Sequence, residues 1–165
     1  MSMKGTAWKF GSNLATDEIL PFQYMVLTDP AELGQHVLEN VRPGFAAQLK
    51  PGDVIVAGDN MGYGSSREHA PLALKGAGVG AVIARSFARI FYRNCINLGI
   101  PVIVCPQASD ECAEGDSLSV DLERGVIADE TTGKQYSFEP FPEFIQKYIS
   151  KGGLIELLNE QRKKH

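Results

Sequence analysis

The residues able to do chemistry concentrate in one stretch, where glycines are followed by hydroxyl, guanidinium and imidazole groups. It reads Gly58-Asp-Asn-Met-Gly-Tyr-Gly-Ser-Ser-Arg-Glu-His-Ala70. Its glycines let the backbone take turns closed to other residues and let a ligand approach the main chain. Ser65 and Ser66 are expected where a helix begins, and free N–H groups there favour an anion. Arg67 adds a planar fork that matches a carboxylate or phosphate, so the stretch predicts an anion-binding site.

The same stretch also has a purely structural interpretation. Ser65 and Glu68 have the spacing of a capping box at a helix N-terminus. Pro71 argues against it, because proline fits only the first turn of a helix and would place the helix start near Ala70. For His69, a ring bonded to a neighbour within the turn is as good an interpretation as an acid–base role.

Short apolar segments alternate with helical patterns around this stretch. Strands are predicted at residues 53–57, 81–84 and 101–105, with one helix from about residue 70 and another from Ser86. The second helix has a predicted core face of apolar residues at helical spacing, namely Phe87, Ile90, Phe91, Cys95 and Leu98. This alternation indicates parallel crossover units.

The two ends of the chain predict different structure. Before residue 53 we expect a strand at 5–10, a polar turn at 11–18, a loop at 22–28, and a helix from Asp29 with Leu33, Val37 and Val41 on one side. After residue 116, alternating segments at 118–122, 126–129 and 135–138 predict an antiparallel meander. A helix from Phe141, with Phe144 and Ile149 inward, a short apolar turn at 154–158 and a frayed tail from Arg162 complete the chain.

The predicted fold class is therefore α/β, with a mostly parallel central sheet, crossover helices, and a C-terminal antiparallel meander and helix. The 165 residues, 44% hydrophobic, suit a single domain spanning the whole chain. The net charge of −4 gives no reason to expect nucleic acid or an anionic membrane as partner. Cys95, Cys105 and Cys112 are too few and too widely spaced for a disulfide framework or metal site, so a cytoplasmic protein with reduced thiols is expected.

Two further patterns are weaker. Gly76-Ala-Gly-Val-Gly80 follows a helix and precedes a strand, which is the wrong order for a dinucleotide fingerprint, so we interpret it as a helix stop and loop. Arg89 and Arg93 are expected on the solvated or partner-facing side of their helix.

Gly64-Ser-Ser-Arg-Glu-His-Ala70, followed by Ile83-Ala-Arg-Ser-Phe-Ala-Arg-Ile90, resembles the swivelling domain of the aconitase superfamily. The motifs Trp8-Lys-Phe-Gly, Thr16-Asp17 and Phe141-Pro-Glu-Phe144 resemble those of the 3-isopropylmalate dehydratase small subunits. The resemblance covers nearly the whole chain. It implies a hydro-lyase acting on a small hydroxy-dicarboxylic acid in leucine biosynthesis.

The resemblance also implies how the work is divided. This chain would bind no metal, and a [4Fe–4S] cluster that activates the substrate hydroxyl would belong to a large subunit, in a heterodimer or heterotetramer. Ser65 matches the catalytic base, Asp17 an acidic residue of the site, and Ser66 and Arg67 residues that bind substrate carboxylate, with Arg67 also stabilising the base. Gly62, Gly64 and His69 would support the loop.

Two positions depart from the family pattern, since Tyr63 stands where many small subunits have cysteine and Ala15 where an acidic residue is commoner.

The resemblance further implies that the segment Tyr24-Met25-Val26-Leu27-Thr28 binds the part of the substrate that distinguishes one acid from another. Homologues that handle a third carboxylate tend to carry arginine there, whereas this segment offers apolar side chains and no cation. An isopropyl group is therefore expected. The same residues can also be interpreted as ordinary core residues without a role in binding.

Several functions stay open at this point. Small subunits of homoaconitase and of citraconate or dimethylmalate hydratases share the same motifs. A non-catalytic anion-binding module and a nucleotide-binding α/β domain are the alternatives from other classes.

Overall fold

The computed structural model describes residues 2–163, in which seven strands form one sheet. The strands are β1 Ser2–Lys9, β2 Val54–Val56, β3 Ala81–Ala84, β4 Val102–Val104, β5 Ser117–Asp121, β6 Val126–Asp129 and β7 Lys134–Ser137. Their order across the sheet is β4-β3-β2-β1-β5-β6-β7.

Strand β1 joins two halves of this sheet. Its C-terminal part pairs in parallel with β2, and β3 and β4 continue the parallel half. Its N-terminal part pairs antiparallel with β5, and β6 and β7 continue that half. The α/β class is thus confirmed, as are the parallel strands and the meander. The sheet is not mostly parallel as expected. The meander belongs to the same sheet, and parallel and antiparallel strand pairings are equal in number.

Eight α-helices and one 3-10 helix are found in the described residues. The α-helices are α1 Thr16–Ile19, α2 Pro30–Gly34, α3 Phe45–Gln48, α4 His69–Gly76, α5 Arg89–Asn97, α6 Pro106–Glu111, α7 Glu143–Ser150 and α8 Leu154–Lys163, and the 3-10 helix is Phe22–Val26. Helix α4 ends at Gly76, as the interpretation of residues 76–80 as a helix stop and loop required. Within residues 2–163, no helix has the length and apolar character needed to cross a membrane.

The N-terminal helices differ from the prediction. Helix α1 occupies part of the predicted polar turn, and the 3-10 helix occupies most of the predicted loop. Helix α2 ends at Gly34, whereas the apolar pattern predicted a helix reaching Val41. The reason is tertiary: Leu38 takes a left-handed φ of 55° and its N–H bonds to the Ile19 carbonyl at 2.8 Å. Val41, predicted on the same side of the helix as Leu33 and Val37, is consequently exposed, whereas those two residues are buried.

Helix α5 begins at Arg89 with Ala88 as its N-cap, two residues after Ser86, which the sequence predicted as the cap. Ser86 does not cap it, because its Oγ accepts a hydrogen bond from the Asn60 N–H at 2.8 Å. The later start turns Ile90, predicted to face the core, into an exposed residue, while Phe91 is buried as predicted.

Three further predictions are corrected after β4. Helix α6 was not predicted, since its sequence has no apolar repeat. Phe144 on α7 was predicted inward but is 59% exposed, whereas Ile149 is buried as predicted. Helix α8 runs to Lys163, so the predicted frayed tail is helical at Arg162, and residues 164–165 lie outside the described part.

The core lies on both faces of the parallel half. All residues of β2 and β3 are buried, which explains why both strands are unbroken apolar runs. Asp53, buried at the entry to β2, accepts hydrogen bonds from Trp8 Nε1 at 2.9 Å and from the Thr6 and Lys50 N–H groups. This carboxylate therefore fixes β2 beside β1.

A pair of buried carboxylates, Asp116 and Asp129, lies where β5 begins and β6 ends. Burial and a hydrogen bond with Asp116 raise the pKa of Asp129, and that hydrogen bond and the Ala113 N–H lower the pKa of Asp116. Asp129 Oδ2 is buried, and no donor among the described residues reaches it. Asp129 is therefore the member of the pair whose neutral form is favoured.

Replacing Asp129 by asparagine is expected to stabilise the chain increasingly as pH rises. A raised folded-state pKa means that the contribution of Asp129 is complete below its unfolded pKa of about 3.9 and is lost as pH rises through the folded pKa. Asparagine does not titrate, so the gain over wild type grows by up to about 1.4 kcal/mol for each pH unit that separates the unfolded and folded pKa values. Thermal unfolding of Asp129→Asn and of the partly exposed control Asp121→Asn across pH 4–9 measures this. A difference that shrinks with pH would contradict it.

Candidate active site

The glycine-rich turn, residues 58–68, connects β2 to α4 and is held on one side by α1. The Gly62 N–H donates to the Leu14 carbonyl at 2.7 Å, and the Thr16 N–H donates to the Tyr63 carbonyl at 2.9 Å. The Ser65 N–H donates to Thr16 Oγ1 at 3.1 Å. Main-chain bonds thus fix where the turn passes α1.

Helix α5 holds the turn on its other side. Asn94 Nδ2 donates to the Ser66 carbonyl at 3.1 Å. Gly62, at a φ of 86°, lies so close to the Phe91 ring that a Cβ would clash with it. Gly64 has a φ of 107°, which is also in the region that favours glycine. The two glycines therefore serve the backbone path, as expected.

The two departures from the family pattern lie side by side. Ala15 and Tyr63 are partners in an isolated parallel β-bridge between α1 and the turn. The tyrosine side chain is partly exposed, and Ala15 is buried. Because their contact is through the backbone, the bridge does not depend on either side chain.

The capping-box interpretation is not borne out. Helix α4 begins at His69, with Glu68 as its N-cap and without a side-chain capping bond, so the preceding residues form an irregular turn. Ser65 Oγ instead accepts the Arg67 N–H at 3.3 Å. Its hydroxyl therefore already faces one main-chain donor within the turn.

A cavity of about 150 Å³ lies between this turn and the N-terminal helices. It is lined by Thr16, Asp17, Leu20, Phe22, Met25, Ser65, Arg67, His69 and Ala70. The structure thus brings together five residues singled out from the sequence, which come from two separate parts of the chain: Asp17 and Met25 from one, and Ser65, Arg67 and His69 from the other. The volume is below the roughly 300–1,000 Å³ of typical ligand sites, so the cavity is a partial one.

Arg67 is the cation of this cavity. Its side chain is exposed and forms no ion pair among residues 2–163, and its Nη1 lies 3.9 Å from the Met25 sulfur. The guanidinium is thus available for a carboxylate. Asp17, in the first turn of α1, is the acid of the cavity and is exposed.

His69 is less simple than either interpretation allowed. Its Nδ1 is buried and has no hydrogen-bond partner among the described residues. A ring satisfied within the turn is therefore not what the structure shows. Buried polar atoms without partners are uncommon, which makes this nitrogen a notable feature of the cavity wall.

The remaining predicted site residues do not line the cavity. Ser66 is exposed beside it. Tyr24 turns its ring onto His36, Val26 is 85% exposed, and Leu27 packs on the core. Thr28 is exposed. Their assignment to substrate binding stays a prediction.

Sequence reasoning missed three apolar or buried lining residues. Thr16 was noted only as a neighbour of Asp17, and Leu20 and Phe22 carried no signal, because apolar residues near a loop have no distinguishing pattern. They line the cavity because α1 and the 3-10 helix fold back over the turn.

The cysteines of this chain do not fit an iron–sulfur cluster. All three are buried, and burial raises the pKa of the Cys95 thiol and brings that of Cys112 to about 12. Within residues 2–163, no group of three or more histidine, cysteine or acidic side chains could hold a metal ion. Cluster ligands must be thiolates, which these buried thiols disfavour.

The sequence and the fold have clear counterparts among known proteins. The family model described as the aconitase C-terminal domain matches residues 37–108. The chain aligns over its full length with the crystal structure of a 3-isopropylmalate dehydratase from Methanocaldococcus jannaschii, which is also fully covered, with a TM-score of 0.91 and 42% identity. The chain therefore belongs to the class of aconitase-type swivelling domains.

Two relatives similar over nearly the whole chain show which family within this class the chain belongs to. The 3-isopropylmalate dehydratase small subunit of Nautilia profundicola is 53% identical over 98% of this chain and 96% of its own length. The isopropylmalate/citramalate isomerase small subunit of Methanocaldococcus jannaschii is 52% identical over 96% of this chain and 95% of its own length. The chain is a member of the family of 3-isopropylmalate dehydratase small subunits.

Replacing Thr16 by valine is expected to release the turn from α1. Valine has nearly the same shape but no acceptor for the Ser65 N–H, so a stability loss of about 1 kcal/mol and faster exchange of the Ser65 amide hydrogen are expected. Thr16→Ser keeps the hydroxyl and should retain slow exchange. Thermal unfolding and amide hydrogen exchange measure both variants, and equal exchange in Thr16→Val and wild type would contradict the role of this bond.

Proposed function

We propose that this chain, as a single swivelling domain, is the small subunit of a hydro-lyase that interconverts 2-isopropylmalate and 3-isopropylmalate in leucine biosynthesis. The observation that carries the proposal is the convergence of Ser65, Arg67 and Asp17 on one partial cavity with an apolar wall. The names of the relatives support the same conclusion.

Isomerisation requires that a proton leave the carbon next to a carboxylate while a hydroxyl leaves the neighbouring carbon. Readdition of water in the opposite sense to the resulting double bond gives the other isomer, so atoms balance. We assign the proton transfer to Ser65. A serine hydroxyl is a poor base unless its alkoxide is stabilised by oriented donors and a nearby cation.

Ser65 has both kinds of stabilisation within reach. The Arg67 N–H already points at Ser65 Oγ, and the Arg67 guanidinium lines the same cavity. Helix α4 begins at His69, so the positive end of its dipole also lies at the cavity. The main-chain donor and the helix N-terminus are held by the backbone before substrate arrives, which is the condition under which electrostatic stabilisation is effective.

Arg67 and Ser66 are assigned to the substrate carboxylates, and Asp17 to the substrate hydroxyl. The guanidinium has no competing carboxylate among the described residues, so it can form a bidentate pair with the substrate. Asp17 is acceptor-only when ionised, which suits a hydroxyl donor and not a second carboxylate.

The apolar wall supports an isopropyl group as the distinguishing feature of the substrate. Leu20, Phe22 and Met25 contribute apolar side chains there, and burial of an isopropyl group against them is worth roughly 2 kcal/mol. A third carboxylate on this wall would lose water without a partner, which costs more than that gain. This favours isopropylmalate over homoaconitate; citramalate, with a methyl group, would gain less.

The partial cavity and the unsuitable cysteines support a partner chain. We assign the [4Fe–4S] cluster, which would activate the substrate hydroxyl, to a large subunit that completes the site. Arg89, Ile90 and Arg93 on α5 are exposed, and neither arginine forms an ion pair among residues 2–163, which suits a partner surface with acidic and apolar side chains.

Reconstitution with the large subunit tests the function. The chain alone is expected to be colourless, iron-free and inactive, and the pair to turn over isopropylmalate with a higher kcat/KM than citramalate or homoaconitate. Iron analysis and the absorbance spectrum of the isolated chain test the first expectation. The kcat/KM of the reconstituted pair for each of the three substrates tests the second. A brown, active chain without partner, or preference for a tricarboxylate, would overturn the proposal.

Ser65→Ala and Arg67→Lys separate the two roles. Loss of a general base should lower kcat of the reconstituted pair by about 10²–10⁴ with KM little changed. Arg67→Lys should mainly raise KM, because an ammonium cannot reproduce the planar fork. Exposed residues elsewhere provide matched controls, Ser150→Ala and Arg124→Lys, which should leave both constants unchanged. Near-normal kcat in Ser65→Ala would exclude Ser65 as the base.

A further inference from the structure

The segment between α2 and α3 touches both elements that form the N-terminal wall of the cavity. Its Leu38 N–H donates to the Ile19 carbonyl at the end of α1, at 2.8 Å. Leu38 is fully buried and takes a φ of 55°, which is unfavourable for a residue with a branched side chain. Such a conformation persists only where its surroundings enforce it.

The same segment holds the 3-10 helix through side chains. The rings of Tyr24 and His36 stack with centroids 3.7 Å apart and planes 7° from parallel. His36 Nδ1 lies 3.0 Å from Glu39 Oε2. Interaction with the same carboxylate raises the pKa of the Tyr24 hydroxyl. Partial burial alone would raise the pKa of Glu39, but its hydrogen bonds with Tyr24 and His36 hold that pKa below its ordinary value. Glu39 is therefore the charged centre of a three-residue network.

This network sits next to the cavity without entering it. Met25, the residue after Tyr24, lines the cavity and lies against Arg67, whereas Tyr24, His36 and Glu39 do not line it. The position of Met25 follows that of Tyr24, because both belong to one short 3-10 helix. The Tyr24 N–H donates to the Pro21 carbonyl at the start of this helix, and the Leu27 N–H donates to the Tyr24 carbonyl at its end.

We infer that Tyr24, His36 and Glu39 are positioning residues of the site, which hold the 3-10 helix so that Met25 closes the apolar wall and contacts Arg67. The inference rests on the proposed function and refines it, because it assigns Tyr24 to the support of the wall and not to substrate contact. When the network is broken, the helix spends less time in the binding position, and the apparent substrate affinity falls in proportion to that population.

Tyr24→Phe and Glu39→Gln test the inference in the reconstituted pair. Tyr24→Phe keeps the stacked ring and removes only the hydroxyl, so folding is preserved. Each variant is expected to raise KM for isopropylmalate about fivefold, the effect of losing one hydrogen bond of ordinary strength, with kcat changed less than about twofold. Because both act on one network, the double variant should be no worse than either single variant.

Tyr148→Phe on α7 is the matched control and should leave KM unchanged. A rise in KM for Tyr24→Phe but not for Glu39→Gln would mean that the Tyr24 hydroxyl contacts substrate directly, and unchanged KM in both variants would mean that the network does not position the wall. Either result overturns the inference.

Amide hydrogen exchange of the isolated chain provides a readout that does not need activity. The Tyr24 and Leu27 amides should exchange faster in both variants, while those of α5 stay unchanged. If the wild-type pair shows no turnover, the proposed function fails, and exchange alone decides whether the network holds the helix. Unaltered exchange at these two amides would contradict it.

Discussion

The hydrogen bond from the Ser65 N–H to Thr16 Oγ1 is the contact on which the geometry of the site depends. Residues 58–68 have no ladder of their own, so their path is set by what they touch. Thr16 is the first residue of α1 and is followed by Asp17, so this bond links the proposed base directly to the helix that carries the acid of the cavity. Asn94, from α5, fixes the next residue from the opposite side. Two helices distant in sequence, α1 and α5, thus define the path of a short exposed turn.

Burial changes sharply across this site. The supporting groups, including Thr16, Met61 and Ala70, are buried, whereas Ser65 and Arg67 are exposed. Preorganised donors lose much of their electrostatic effect in bulk water and regain it when water is excluded. The catalysis proposed for this turn therefore needs a cover that residues 2–163 do not provide, and this requirement follows from solvation alone, independently of where a cluster is bound.

The sequence predicted the local features well and the non-local ones poorly. Strands β2 and β3 were predictable because burial on both faces leaves an unbroken apolar run, and Pro71 located the start of α4 to within one residue. The prediction made helix α2 too long, because nothing in the local sequence reveals that Leu38 takes a left-handed conformation and bonds to Ile19. Ser65, Arg67 and His69 could be placed in one site because they are close in sequence. Asp17 and Met25 come near them only through tertiary folding, so only the family resemblance connected them to the site.

Charge balance in the cavity sets a condition on the partner. Arg67 and Asp17 are its two formally charged side chains, and their charges cancel. A hydroxy-dicarboxylate brings two negative charges, so binding it here would leave an excess of negative charge in a site from which water is being removed. Uncompensated buried charge is far costlier than any apolar gain along the wall. A partner that completes this cavity must therefore contribute positive charge as well as cover, from side chains or from a metal centre.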